Sequence, residues 1–466
     1  MIKTLLRFRL PLLLLLTVAL RLGVLFAFPS VFAWDQTGTV HGSDAYDVYA
    51  RNLLSTGVYG YVPGVPDAQI PPLYAYLVAG VYRVFGRGYI QIACLHILLD
   101  VLTIMLLYGI SRHIIRPVAR GETVGLLAGA MVALYPYLIF QNLTLIDTPL
   151  FMTLLHAFLF FAVLLRERER FDRTALVLAV LDGLALGLAV LARPVVAPLA
   201  LFVAVWFLFR RSFVQMVLRL LPVAAIGVLV VAPWLVRDMQ VYQSFVAVAN
   251  NGGMNFWFGN SRYTIPFLRA GYHTQWATPD EPAIGNDKEA SAQLFAQSFQ
   301  FLRENPEKVP ELLWVKLLAY WSISVYPGKN PSAGQSIIID ENGNAIARLS
   351  SVSQNDPVDA YAQPLFDRIG RSVHTLYFGA LVLLALIGIV QTRGQWREVS
   401  LLLFVQISMT IVYVVFIPAT RYRVPTDPLL FIFSAYAALS LGQRFFRQQR
   451  IIQPTQQPQP YRQTVE

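Results

Sequence analysis

Long apolar segments separated by short connections, with the arginine clusters falling on alternate connections, constrain this chain more than any other feature. Taking as a span any run of about 17 to 25 mostly apolar residues, enough to cross a hydrocarbon core, gives ten. They are 10–31, 89–110, 123–140, 149–165, 174–192, 195–209, 219–236, 372–391, 399–417 and 428–442. The basic clusters between them are Arg112, Arg116 and Arg120; Arg166, Arg168, Arg170 and Arg173; Arg210, Arg211 and Arg219; Arg393 and Arg397; and Arg444, Arg447 and Arg450. With Lys3, Arg7 and Arg9, all fall on one side of the series. The positive-inside rule makes that side cytoplasmic and places both termini there, so the expected location is a bacterial inner membrane, crossed many times.

Composition agrees with this reading. By length alone, 466 residues would hold about three soluble domains. A content of 56% hydrophobic and 14% charged residues excludes that. The net charge of +10 sits in the short connections, so it reports topology and not a nucleic-acid partner. The single cysteine, Cys94, lies in an apolar segment and reads as a small buried residue; an intramolecular disulfide is impossible. The first segment begins like a signal peptide but is too long and lacks a small-residue cleavage site, so it reads as a retained span.

The chain divides into four regions. A transmembrane core at 1–236 includes a first outer loop, 32–88, with a candidate catalytic acid. An extracytoplasmic region follows at 237–371, then C-terminal spans at 372–450 and a Gln- and Pro-rich tail at 451–466 that reads as disordered. Pro71 to Phe85 is too short to span, opens with Pro71-Pro72 and carries Arg83; it reads as interfacial or re-entrant. Leu312 to Val325 is similar. Asp287 to Asn305 is amphipathic and ends at Pro306, and Pro327 to Gln363 reads as a mobile flap.

The first outer loop predicts a helix from an N-cap at Ser43, with Tyr46, Tyr49, Ala50, Leu53 and Leu54 on one face and Asp44, Asp47 and Arg51 on the other. Lying on the bilayer surface, it would turn its carboxylates to water. A solubilising helix with an Asp47–Arg51 pair is the plainer alternative. Charges at a membrane face are costly and usually have a partner or a task. The others on this face are Asp147 in NLTLIDTP, Arg193 in LARP, Arg237 and Asp238 in PWLVRD, and Arg421 and Arg423 in TRYRVP. Acids from the first half and arginines from the second, converging on one pocket, would suit a substrate with a phosphate and a hydroxyl to be deprotonated. Against this, Asp147 before Thr148-Pro149 is also a helix-capping pattern, and a lone Arg193 or Arg423 is also placed to snorkel. Arg21, in mid-span, is expected to pair internally, and His96, His156 and His374 read as core residues. The Asn142-x-Thr144 sequon lies too near the membrane to accept a glycan readily.

Several short motifs occur in a telling order. They are Gly42-Ser43-Asp44 with Tyr46 and Ala50 before Asn52-Leu53-Leu54; Pro71-Pro72-Leu73-Tyr74; Asp147-Thr148-Pro149; Arg193-Pro194; Pro233-Trp234 with Arg237; Gly252-Gly253 to Gly259-Asn260; Lys316 with Trp321; and Arg421-Tyr422 to Pro425. In this order the chain resembles a bacterial member of the GT-C glycosyltransferases, the superfamily of protein O-mannosyltransferases and of the aminoarabinose transferases that modify lipid A. The resemblance implies an all-α polytopic fold of about ten transmembrane helices, with interfacial helices and an extracytoplasmic loop region. It implies transfer of a sugar, with inversion, from a polyprenyl-phosphate donor to an acceptor hydroxyl of a glycolipid, polysaccharide or protein. Asp44 matches the first-loop acid, expected as general base, and Asp147 the second-loop acid that assists. Tyr46, Asp47, Arg193, Arg237, Arg421 and Arg423 are expected to bind substrate, with Arg423 and Arg421 first for the lipid phosphate and Arg193 behind them. No cofactor is required, although Asp44 and Asp147 are oxygen ligands of the kind a divalent cation takes. Where the aminoarabinose transferases carry a lysine before Pro-Pro, this chain has Ile70, so that specificity is not expected. The alternatives are a flippase for lipid-linked glycans and a polysaccharide polymerase or ligase. One-sided charges and lopsided loops favour one-sided chemistry over alternating access.

Overall fold

A computed structural model describes residues 8–32, 42–279, 284–331, 335–349 and 364–452. The apolar segments form α1 (Arg9–Ala27), α4 (Tyr89–Ile114), α5 (Val118–Ala133), α6 (Thr148–Glu167), α7 (Arg173–Ala192), α8 (Leu199–Leu208), α9 (Phe213–Tyr242), α13 (Pro364–Gln391), α14 (Trp396–Val415) and α15 (Asp427–Ile452). The outer segments add α2 (Asp44–Thr56), α3 (Pro72–Phe85), α10 (Gly252–Gly259), α11 (Asp287–Glu304) and α12 (Val309–Tyr320). Eight helices among the described residues are long and apolar enough to cross a membrane.

The expected span 123–140 is shorter than the sequence suggests, and the same physical rule ends α7 where the sequence placed its end. The residue before a proline is driven out of the helical region by a clash with the ring. Tyr135 before Pro136 takes ψ 109° and separates α5 from a six-residue helix, Pro136–Gln141. Arg193 before Pro194 takes φ −149° and ψ 105°, so α7 stops and a short 3₁₀ turn leads to α8. The opposite departure occurs in α9, which runs through Pro222 and Pro233 and brings Arg237 and Asp238 into its last turns.

α3 is a short helix packed against α2 and α7, as its length implies. α11 follows its pattern, with Asn286 and Glu289 forming a reciprocal capping box and Pro306 just past its end. Within the expected flap the described residues include a hairpin. β1 (Gln335–Ile339) pairs antiparallel with β2 (Ala345–Leu349). The Asp340 carboxylate accepts from the Asn342 and Asn344 amides at 3.0 and 2.8 Å and shapes the turn between them. The rest of the flap after 349, the tail after 452 and the first seven residues lie outside the described residues. Cys94 also departs from expectation, because it faces outward from α4.

Inside the bundle, Arg21 of α1 is fully buried and donates Nε to Asp100 of α4 at 2.8 Å and Nη1 to the Ala133 carbonyl at 2.7 Å. Asn142 donates to the other Asp100 oxygen at 2.6 Å, and is itself fully buried, so the sequon is no glycan acceptor. His96 lies between the Tyr74 hydroxyl and the Asn142 carbonyl, while His156 bonds to the Met152 carbonyl of its own helix. Removing one partner of a buried ion pair strands the other charge, at about 3–5 kcal/mol. Arg21→Ala is therefore expected to lower the unfolding midpoint in detergent sharply, and Arg21→Ala with Asp100→Ala to recover part of the loss; equal midpoints for wild type and Arg21→Ala would contradict this.

Candidate functional site

The first outer loop is stitched to the second at the start of α2. The Ser43 amide donates to the Leu145 carbonyl at 2.8 Å. Gly42 has φ +106°, and a Cβ there would stand 2.2 Å from the Leu145 carbonyl oxygen, so the approach requires glycine. Two residues beyond Leu145 comes Asp147. It occupies the N-cap position of α6, but its side chain makes no capping bond. Instead both its oxygens accept from Arg193, Nε to Oδ2 and Nη2 to Oδ1, each at 2.6 Å. Arg193 is only 8% exposed and does not snorkel. Its Nη2 also donates to the Thr148 hydroxyl at 3.0 Å, while Nη1 is buried with no partner among the described residues.

This pair forms one wall of a cavity of about 480 Å³. Ser43, Tyr46, Ile70 and Pro71 line it from the first loop, and Ala249, Asn251, Gly252 and Asn255 from the start of α10. Tyr413, Phe416, Ile417, Arg421 and Tyr422 close it from the end of α14 and the following turn. A Cβ on Gly259 would lie 1.5 Å from the Phe416 carbonyl oxygen, so glycine lets α10 press against that wall. Behind it, Lys316 of α12 is fully buried and donates Nζ to Asn260 Oδ1 at 3.0 Å and to the Val415 carbonyl at 3.2 Å. The quoted motifs Gly259-Asn260 and Lys316 thus build the cavity wall rather than its lining.

The electrostatics of the cavity are lopsided. Burial pushes the Asp147 carboxyl up, but the Arg193 charge and hydrogen bonds, with Arg421 nearby, outweigh it and hold Asp147 below its ordinary value. Asp147 is an anion with both oxygens engaged. Burial, and then the Asp147 charge, push the Tyr46 phenol well up, so it is a proton donor in the cavity. Tyr46 also packs edge-on to Tyr74, with ring centroids 4.7 Å apart. Arg421 lies across the Tyr422 ring and donates Nη2 to its hydroxyl at 2.7 Å. Among the described residues it has no carboxylate partner, which leaves a cation facing the cavity. Among the described residues no three His, Cys, Asp or Glu side chains gather as a metal site, and both Asp147 oxygens are engaged by Arg193.

Of the residues singled out from sequence, the cavity gathers Tyr46, Asp147, Arg193 and Arg421. Asp44 stands exposed in the first turn of α2, next to Ser43 but off the lining. Asp47 does not face water. It is 1% exposed and accepts from the Tyr82 hydroxyl and Arg87 Nε, both at 2.8 Å, besides Arg51 at 2.8 Å. The packing of α3 over α2 covers the face that the helical spacing turned outward, so Asp47 fastens the loop. Arg237 is likewise a fastener, donating to the Asp67 and Tyr59 carbonyls at 2.6 and 2.9 Å. Arg423 is fully buried, pairs with Asp427 at 3.1 Å and donates to the Tyr320 and Ser322 carbonyls. It neither lines the cavity nor snorkels. Sequence reasoning missed Asn251, Asn255 and Tyr413; an Asn-Asn-Gly-Gly helix start was the available signal for the first two.

Residues 69–236 match the family described as dolichyl-phosphate-mannose-protein mannosyltransferase. No curated protein sequence matches the chain. Among solved structures, the Archaeoglobus fulgidus oligosaccharyltransferase complexed with Zn and sulfate is similar, with 16% identity and a TM-score of 0.52, over 94% of this chain and 50% of that one. The same organism's oligosaccharyltransferase AglB, in complex with an inhibitory peptide and a dolichol-phosphate, gives 14% identity and 0.53, over 97% and 52%. Cupriavidus metallidurans ArnT bound to undecaprenyl phosphate gives 15% and 0.43, over 95% and 81%. The chain spans about half the length of the archaeal proteins, and at these identities the likeness is one of fold. The expected GT-C type of membrane fold is present.

Burial holds the Lys316 amine down to about 7, against an ordinary 10.5. Below about 7 it is charged in both folded and unfolded chains; between about 7 and 10.5 only the unfolded chain binds the proton, so stability rises with pH across that window. Unfolding midpoints of wild type are expected to rise from pH 7 towards 10 more steeply than those of Lys316→Met; parallel pH profiles would remove Lys316 as the cause.

Proposed function

We propose that this chain is an integral membrane glycosyltransferase that moves a sugar from a polyprenyl-phosphate donor to an acceptor hydroxyl on the extracytoplasmic face. The observation that carries the reading is Arg421, a cation without an acidic partner among the described residues, facing a cavity that also holds the Asp147–Arg193 pair. An anion is the natural occupant of such a site. The N-terminus of α10 at Gly252 opens on the same cavity and adds to its preference for negative charge. The family match of residues 69–236 and the dolichol-phosphate in the AglB complex support a lipid-linked phosphate as that anion.

In this reading Arg421 holds the donor phosphate, and the unpartnered Nη1 of Arg193 meets the charge that develops as the phosphate leaves. Asp44 takes the proton of the acceptor hydroxyl, whose oxygen attacks the anomeric carbon from the side opposite the phosphate. The new C–O bond forms as the old one breaks, which inverts the centre and releases polyprenyl phosphate. Asp147 stays ionised, fixes Arg193, and accepts the Tyr46 O–H, which leaves the phenol oxygen to accept a hydrogen bond from a sugar hydroxyl. The acceptor is a glycolipid, polysaccharide or protein hydroxyl. The enzyme resides in a bacterial inner membrane with both termini cytoplasmic.

The test is transfer by purified protein in liposomes, from a panel of radiolabelled polyprenyl-phosphate sugars to envelope lipids. Arg421→Ala is expected to raise the donor KM more than Arg421→Lys does, and Asp44→Asn to cut kcat by about 10²-fold or more with folding intact. Transfer that is indifferent to both substitutions would overturn the assignment. Movement of glycan-lipid across the bilayer without transfer would favour a flippase.

A further inference from the structure

A second cavity, of about 450 Å³, lies at the other end of α6. The C-terminal ends of α4, α6 and α8 meet the start of α14 there. The 20 residues of α6 separate it from Asp147 by about 30 Å, so the two cavities face opposite sides of the membrane. Arg116, Arg166, Arg210 and Arg211 line it, and with His113 they outnumber the glutamates facing them.

The three glutamates, Glu167, Glu169 and Glu398, leave Arg166 incompletely bonded. Glu398 receives Arg166 Nη1 at 3.0 Å and Arg210 Nε at 2.6 Å, and Glu167 receives Arg116 Nη2 at 2.8 Å. The Arg166 side chain is only 3% exposed, lies 3.8 Å over the Trp206 ring, and leaves Nε buried with no acceptor among the described residues. A buried guanidinium N–H without an acceptor is costly, and it borders a polar cavity. Arg210 and Arg116 keep about half of their side chains open, at 55% and 48%. Ile114, Val163 and Trp206 form a buried apolar floor beneath these charges, where the spans end.

We propose that this cavity binds the phosphate of an anionic membrane lipid, with Arg210, Arg116 and the Arg166 Nε as donors. The site is distinct from the first cavity and lies on the face that carries the basic connections. A lipid phosphate brings the missing acceptor oxygens, and its acyl chains stay in the surrounding bilayer, where the spans end.

The full-length protein in detergent is tested by native mass spectrometry and thermal unfolding with three probes: dihexanoyl-phosphatidylglycerol, dihexanoyl-phosphatidylcholine and inorganic phosphate. Phosphatidylglycerol is expected to be retained and to raise the midpoint, with phosphatidylcholine giving neither effect. Arg210→Gln, and separately Arg116→Gln, are expected to weaken phosphatidylglycerol binding about tenfold. Both residues are half open, so folding is expected to survive, as the unliganded midpoint will record. Equal, arginine-dependent stabilisation by inorganic phosphate would keep the phosphate chemistry and reject the lipid as its source. No preference for phosphatidylglycerol over phosphatidylcholine in the wild type, or retention unchanged in both variants, would overturn the proposal.

Discussion

The two-pronged contact between Asp147 and Arg193, two bonds of 2.6 Å across 46 residues of sequence, is the constraint on which the first cavity and its surroundings depend. Each charge alone at that depth would be expensive to bury, and together they are a matched fork. The pair ties the start of α6 to the end of α7. Because Leu145 and Gly42 are joined two residues away, it also ties down the first outer loop. Its position follows from two prolines: Pro149 starts α6, and Pro194 forces Arg193 into an extended conformation that lets the guanidinium turn back.

The same economy of placement separates charge paired within the fold from charge that faces the cavity. Asp47, Arg237 and Arg423 sit in outer segments where sequence alone cannot distinguish them from cavity residues. Each is held by carbonyls, phenols or an opposite charge, although Arg423 keeps one buried Nη2 without a hydrogen-bond partner among the described residues. Arg421 differs: its contact is a neighbouring tyrosine hydroxyl, with no carboxylate among the described residues. Charge left over after the internal bonds are made is what a cavity offers to a ligand, and on both membrane faces that surplus is arginine.

Hydropathy made most of the fold legible, because about twenty apolar residues in a row have few alternatives in a bilayer. Its failures are local. The break at Tyr135 is written in the following proline, whereas the passage of α9 through Pro233 is not, since a membrane helix can make up the lost backbone bond locally. The site was half legible. Tyr46, Asp147, Arg193 and Arg421 were named from their motifs and their place at one face. Helical spacing put Asp47 towards water, but spacing does not know that α3 and Arg87 cover that face. Arg423 and Arg421 are two residues apart in one short motif, and only packing sends one inward against Asp427 and the other into the cavity. Cys94 shows the converse: in a bilayer an apolar helix face turned outward costs nothing, so an apolar setting does not imply burial.

The central claim is that Asp147 and Arg193 work as one unit in the cavity. A double-mutant cycle measures this directly, with Asp147→Asn, Arg193→Gln and both together assayed for sugar transfer and for unfolding midpoint. The account predicts strong non-additivity, the double variant being no worse than the worse single one, because either change already leaves the other group unpaired. Losses that simply add, in both activity and stability, would mean that the two residues act independently and would contradict it.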